Sequence, residues 1–236
     1  MSASRSLKWW LCLGLVASVA PLAGQDEKPA RKKGETGNRP EWTVLFDGKS
    51  LDGWEQKNGT ATYEVKDGAI LGSTAAGSPN SFLCTTKDYG DFVLEFEVKL
   101  LRDDLNSGVQ VRSHSKPEYR DGRVHGPQVE IESSPGQAGY IYGEASTGNW
   151  ISPEAESKPH EHFKNGEWNK YRVRAVGDRI QTWINGEKVT DVRSEHTNPN
   201  APGFIGLQVH SYDGEHPAQV MWRNIRIREL KRDAAE

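Results

Sequence analysis

After residue 40, polar and apolar residues alternate through most of this chain with a period of two. Successive side chains of a β-strand point to opposite faces, so the pattern marks half-buried strands. Residues 91–101 are the clearest case. Phe92, Leu94, Phe96, Val98 and Leu100 share one parity, and Asp91, Glu95, Glu97 and Lys99 share the other. One face enters a core and the other meets water with charges of both signs. Shorter runs predict strands at 42–46, 63–65, 69–71, 82–85, 109–112, 139–143, 168–176, 179–184, 204–210 and 219–230. Lys66-Asp67-Gly68 signals a hairpin, and Gly177-Asp178 with Asn185-Gly186 signals a three-strand meander. Apolar parity shifts between Trp222 and Ile225, which predicts a β-bulge near Arg223-Asn224. Residues 144–167 follow neither period and read as a long loop, a common place for lids and binding segments. No long amphipathic helix is predicted.

The stretch His125-Gly126-Pro127-Gln128-Val129-Glu130-Ile131-Glu132-Ser133 stands apart. Gln128, Glu130 and Glu132 line one face of a strand, with Val129 and Ile131 behind them. Two carboxylates and an amide in one row suit a surface that meets a ligand, although an ordinary solvated face has the same alternation. Two other strands carry polar rows, Gln110 with Arg112 and Gln208 with His210. If the three strands are neighbours, these rows converge on one face.

Composition supports an all-β domain: 24 Gly, 12 Pro and 8 Trp in 236 residues, with 35% hydrophobic content. The net charge of −3 gives no basic footprint for nucleic acid. Arg5 and Lys8 precede an apolar run from Trp9 to about Ala23. This reads as a secretory signal peptide over residues 1–24, too short for a comfortable membrane span. Gln25 stands where a bacterial lipoprotein would need Cys, so no stable membrane anchor is expected after cleavage, and a periplasmic or secreted location is. Residues 25–40 read as a flexible linker and 231–236 as a short tail. Cys12 lies in the signal, which leaves Cys84 alone and excludes an intramolecular disulfide. Cys84 is expected to be a buried strand residue, not a nucleophile.

Several stretches in order resemble one family: Leu45-Phe46-Asp47-Gly48 with Leu51-Asp52-Gly53-Trp54, Asn106-Ser107-Gly108, Gln128-Val129-Glu130-Ile131 and Gly166-Glu167-Trp168-Asn169. They continue with Trp183-Ile184-Asn185-Gly186, Gly206-Leu207-Gln208 with His210, and Arg223-Asn224-Ile225. The set resembles the 3-keto-disaccharide hydrolase domain family over residues 41–230. The resemblance implies an all-β, concanavalin-like jelly-roll β-sandwich of two antiparallel sheets, frequent export, and a concave sheet that holds a sugar. Laminarinase-type glycosidases on such a fold carry a Glu-x-Asp-x-x-Glu strand, which Gln128-Val129-Glu130-Ile131-Glu132 lacks, so retaining glycosidase chemistry is not expected.

The ketone of a 3-keto glycoside acidifies the C2 proton. A base removes it, the C1 oxygen leaves, and water adds back. This needs a base, a group that stabilises the enolate, and an acid for the leaving group. The expected catalytic residues are Glu130 as base, His210 as base or acid, and Arg112 at the enolate. Gln110, Gln128, Gln208, Glu132 and His125 are expected to bind the sugar, with Tyr142 or Trp150 stacked on its ring. Glu130, Glu132 and His210 are candidate ligands for a divalent metal ion, and no nucleotide cofactor is expected. His160 and His162 flank Glu161 without a metal-site spacing. Trp54, Trp168, Trp183 and Trp222 are expected in the core or in hairpin packing. The alternative is a non-catalytic carbohydrate-binding module on the same fold. A third option, an interaction domain of an exported assembly, would expose an apolar patch instead of a polar groove.

Overall fold

The residue 91–101 pattern builds the central strand of the larger sheet. A computed structural model of the chain describes residues 41–231. The expected signal peptide, the linker and all but Lys231 of the tail lie outside the described residues. Strands run in chain order β1 (Thr43–Val44), β2 (Trp54–Lys57), β3 (Thr62–Lys66), β4 (Ala69–Ser73), β5 (Ser81–Thr85), β6 (Phe92–Leu100) and β7 (Ser107–Ser113). They continue as β8 (Gly126–Ile131), β9 (Ile141–Glu144), β10 (Asn169–Val176), β11 (Arg179–Ile184), β12 (Glu187–Arg193), β13 (Phe204–Val209) and β14 (Gln219–Glu229). An eight-stranded sheet has the order β12-β11-β10-β6-β14-β4-β3, with β1 on β14, and a six-stranded sheet has the order β2-β5-β13-β7-β8-β9. Every strand pair is antiparallel.

One apolar core lies between the sheets. Leu94, Phe96, Val98, Tyr171, Val173 and Trp222 enter it from the larger sheet, and Val109, Val129, Ile131, Ile141 and Leu207 from the smaller. Phe96 and Tyr171 stack across β6 and β10 with ring centroids 5.0 Å apart. The β3–β4 hairpin turns through Asp67 (φ 51°) and Gly68 (φ 73°), the paired left-handed conformations that a tight two-residue hairpin needs. The bulge expected in β14 is present: pairing with β6 shifts register between Arg223 and Arg226, and Asn224 has φ 53°. Cys84 is buried, and its thiol is pushed far up by that burial.

Two expectations change. Trp54 and Trp222 are buried, and Trp183 packs against Arg172, its partner across the β10–β11 hairpin, as expected, but Trp168 lies under a guanidinium group. Arg223 sits 4.0 Å from the Trp168 ring centroid and Arg172 5.9 Å from that of Trp183. The long loop begins one residue later than its composition suggests, because Glu144 closes β9.

Candidate active site

The three polar rows do lie on adjacent strands, since β13, β7 and β8 are consecutive in the six-stranded sheet. Gln110 is opposite Gln128, and Gly108 is opposite both Glu130 on β8 and Gln208 on β13. Val109 and Val129 are opposite each other with the reverse parity and enter the core. The polar side chains therefore occupy the outer face of the sheet. Above them a cleft of ≈ 270 Å³ is lined by Asn106, Gln128, Glu130, Glu132, Tyr142, Glu144, Trp150 and His210.

Glu130 is the centre of this cleft and only 5% exposed. Its Oε1 accepts from Asn106 Nδ2, and its Oε2 accepts from Gln128 Nε2 at 3.1 Å. Neither partner carries a charge. Burial pushes the Glu130 carboxyl up to about 8, with a further push from Glu132 and Glu144, against the opposing pull of the two amide donors. Glu132 is also raised by burial, and the backbone N–H of Gln137 opposes the shift. Gly108 gives the array its space: a Cβ there would lie 2.4 Å from Gln128 Cδ.

On the other wall the Tyr142 and Trp150 rings meet edge-on, with centroids 5.3 Å apart. The Tyr142 hydroxyl donates to the Gly148 carbonyl at 3.0 Å, so its ring is held in place. His210 follows β13 at the cleft edge. Its Nδ1 lies 2.7 Å from the Ser211 carbonyl, which can only accept. Nδ1 therefore carries the proton, and Nε2 is the ring's acceptor when the imidazole is neutral.

Two expected catalytic or binding residues are elsewhere. Arg112 does not reach the cleft. β7 has a bulge opposite β13, where the register skips between Phe204 and Gly206, and Arg112 has φ 50°. This turns its side chain out of the polar row and into the protein, where it is 1% exposed and pairs with Asp91 at 2.8 Å. It also donates to the carbonyls of Gly90 (2.7 Å), Gly177 (2.6 Å) and Thr197 (3.3 Å). His125 sits outside the cleft, stacked on Tyr119 at 3.8 Å, with Nδ1 on the Arg123 carbonyl. It belongs to the loop leading into β8, and only the residues after Gly126 join the row.

Gln110 and Gln208 are on the expected face but are fully buried beneath the cleft lining. Glu130, Glu132 and His210 share the cleft without forming a metal-holding group. Among the described residues no group of three or more His, Cys, Asp or Glu side chains is placed to hold an ion. The rings of His160 and His162 pack 4.4 Å apart in the long loop.

Sequence reasoning missed Asn106 and Glu144. Asn106 lies in Asn106-Ser107-Gly108, which reads as a turn. Glu144 has the parity of Tyr142 but follows a glycine at the edge of an unpatterned segment. Glu144 is buried and ion-paired with Arg123, and Asn80 approaches it at 3.5 Å. Arg123 is thus committed at that end, and no Lys or Arg is among the cleft's lining residues.

The fold and the cleft define a carbohydrate-active jelly roll. The model of the 3-keto-alpha-glucoside-1,2-lyase-like domain matches residues 41–228, and the chain belongs to that family. No curated protein matches the chain. Among solved structures, a Parabacteroides distasonis ATCC 8503 protein described as a glycosyl hydrolase aligns with 22% identity and TM-score 0.56, over 80% of this chain and 94% of its own. The carbohydrate binding module CBM66 from Bacillus subtilis aligns with 16% identity and TM-score 0.55, over 75% and 96%. The Bacillus licheniformis beta-glucanase aligns with 13% identity and TM-score 0.52, over 84% and 100%. These likenesses bear out the expected jelly-roll sandwich.

Proposed function

We propose that this domain cleaves 3-keto glycosides by removing the C2 proton, eliminating the C1 oxygen and hydrating the product. The observation that carries this reading is Glu130: a buried carboxyl, held by two amides and no cation, whose affinity for a proton is raised to about 8. A carboxylate that basic is suited to take a proton beside a carbonyl near neutral pH. The family's description as 1,2-lyase-like names the same C1–C2 elimination.

In the elimination half, ionised Glu130 takes the C2 proton, and protonated His210 gives a proton to the departing C1 oxygen. In the hydration half, neutral His210 takes a proton from water through Nε2 while the oxygen bonds to C1. Protonated Glu130 then returns a proton to C2. The sum is hydrolysis, with both side chains restored. Asn106, at the Glu130 end of the cleft, is the amide donor placed to stabilise the C3 enolate oxygen in the absence of Arg112. Tyr142 and Trp150 supply the ring wall for the sugar. The same reading includes export of the domain and a carbohydrate as its partner.

The test is release of sugar from a 3-keto glucoside and from the unoxidised glucoside, each with and without chelator. Cleavage of the keto substrate alone supports elimination, and loss with chelator would add a metal to the account. Cleavage of both substrates alike contradicts it. The Tyr142–Trp150 wall and the fold shared with a carbohydrate binding module favour a second reading, a binding module. Saturable sugar binding with no cleavage would establish that one.

A further inference from the structure

Gln110 and Gln208 have no role in the chemistry above, yet their amides converge on one atom. Ser113 Oγ donates to Gln110 Oε1 at 2.8 Å, which leaves Gln110 Nε2 to donate to Gln128 Oε1 at 2.7 Å. Gln208 Nε2 donates to that same oxygen at 3.0 Å. With two N–H groups on its Oε1, Gln128 presents Nε2 to Glu130 Oε2. A reversed Gln128 amide would set its carbonyl against the carboxylate and its own N–H groups against two donors. The direction of the array is thus set on β7, the strand beside the carboxyl it ends on, with Gln208 adding its donor from β13.

The array also carries a cost. Gln208 Oε1 is buried and has no hydrogen-bond partner among the described residues. A buried unpaired acceptor is unfavourable, and an apolar side chain of similar length would avoid it. Packing alone does not account for an amide at this position. Its one directed contact does, because Gln208 Nε2 is half of what orients Gln128.

We propose that Gln110 and Gln208 are positioning residues which, acting through Gln128, hold the Glu130 carboxyl in a single orientation toward the cleft. Neither binds the sugar. The consequence for turnover rests on Glu130 being the base; the orienting role does not. Glu130 also faces Asn106, Glu132, Glu144 and the Tyr171 hydroxyl, which donates to its backbone carbonyl at 3.4 Å, and the variants below leave all of these in place.

The experiment is a carboxyl-carbon NMR titration of the ¹³C-labelled Glu side chains, with the Glu130 signal identified by its loss in Glu130→Gln. Gln208→Met and Gln110→Met are each expected to raise the Glu130 midpoint, because a freed Gln128 amide no longer supports the ionised form. The rise should approach about one pH unit, the scale of one hydrogen bond to a charged group. Ser113→Ala, a truncation a folded strand tolerates, should move it the same way by less, and it serves if either methionine variant fails to fold. An unmoved midpoint in the folded variants overturns the proposal. Where turnover is measurable, kcat should fall with KM little changed; a rise in KM or in sugar Kd at an unmoved midpoint would make the two residues ligand contacts instead. If no glycoside is cleaved at all, the hydrolase reading fails while the titration still decides the array.

Discussion

Glu130 and Glu95 are the same residue type at the same kind of position, a buried carboxyl on the outward face of an antiparallel strand paired on both sides. Their surroundings give them opposite properties. Around Glu95, burial works to raise the carboxyl, but the Arg226 hydrogen bond and the charges of Arg226, Lys170 and Arg172 outweigh it and hold the group below its usual range. Glu97 behaves likewise, with Arg223 and Asn224 as its partners. Arg226 meets Glu95 at 2.5 Å and Arg172 meets it at 3.1 Å. Glu130 has amides where Glu95 has guanidinium groups, so burial prevails. The larger cavity, ≈ 480 Å³, lies beside Glu95 and Glu97, yet its carboxylates are neutralised where they stand. Cavity size is therefore a poorer guide to chemistry than the partners of its carboxylates.

The comparison can be broken most severely at Glu130. Glu130→Gln should lower turnover by at least about 10³-fold while leaving sugar affinity within a few-fold, as expected for loss of a general base. Glu95→Gln should leave the rate within about twofold. The pH dependence has a definite sign: for a keto glucoside with a nitrophenol leaving group, which departs without a proton from His210, kcat/KM should rise with pH and level off above about 8 as Glu130 ionises. A fall across the same range would make Glu130 the acid.

Stability should separate the two carboxyls as well. Because folding raises the Glu130 midpoint from the ordinary 4.5 to about 8, the folded state holds a proton that the unfolded state has released. Stability that is present below 4.5 is lost as pH rises toward 8. The stability of Glu130→Gln relative to wild type should grow over that window and then level off, by up to about 5 kcal/mol at about 1.4 kcal/mol for each pH unit of the rise. For Glu95, lowered by folding, the contribution is present at neutral pH and lost on acidification through its folded midpoint. Glu95→Gln should cost about 1 kcal/mol at pH 7 and nothing at low pH. Denaturant unfolding at several pH values measures both.

Arg112 supplies a third contrast, a cation that the sequence places in the cleft and the bulge removes from it. Arg112→Met should cost about 3–5 kcal/mol of stability by leaving Asp91 buried without that partner. Sugar affinity of the folded fraction should be unaffected. Smaller still, Gly108→Ala forces a Cβ against Gln128, at about 1–3 kcal/mol, and shifts the Glu130 titration with it.

Period-two alternation made the fold legible, because core packing leaves its mark on every second residue of β6, β7 and β8. It also found Gln128, Glu130, Glu132 and His210, which follow the parity of their strands. What it could not show is where the parity breaks. One extra residue in β7 turns Arg112 from the outer face into the interior, and nothing in Val109-Gln110-Val111-Arg112 announces it. The β14 bulge was legible because apolar residues on both sides of it reveal the slip. Burial depth was invisible too: Gln110 and Gln208 have the right face but lie beneath other side chains. Glu144 was lost at the end of a short edge strand, where a single glycine masks the alternation.

The account rests on Glu130 removing the C2 proton, and deuterium at C2 reads that step directly. In a single turnover the domain should cleave a 3-keto glucoside carrying deuterium at C2 several-fold more slowly than one carrying hydrogen, and Glu130→Gln should cleave both at least about 10³-fold more slowly than the wild-type protein. Equal single-turnover rates on the two substrates, or wild-type-like cleavage by Glu130→Gln, would contradict the assignment.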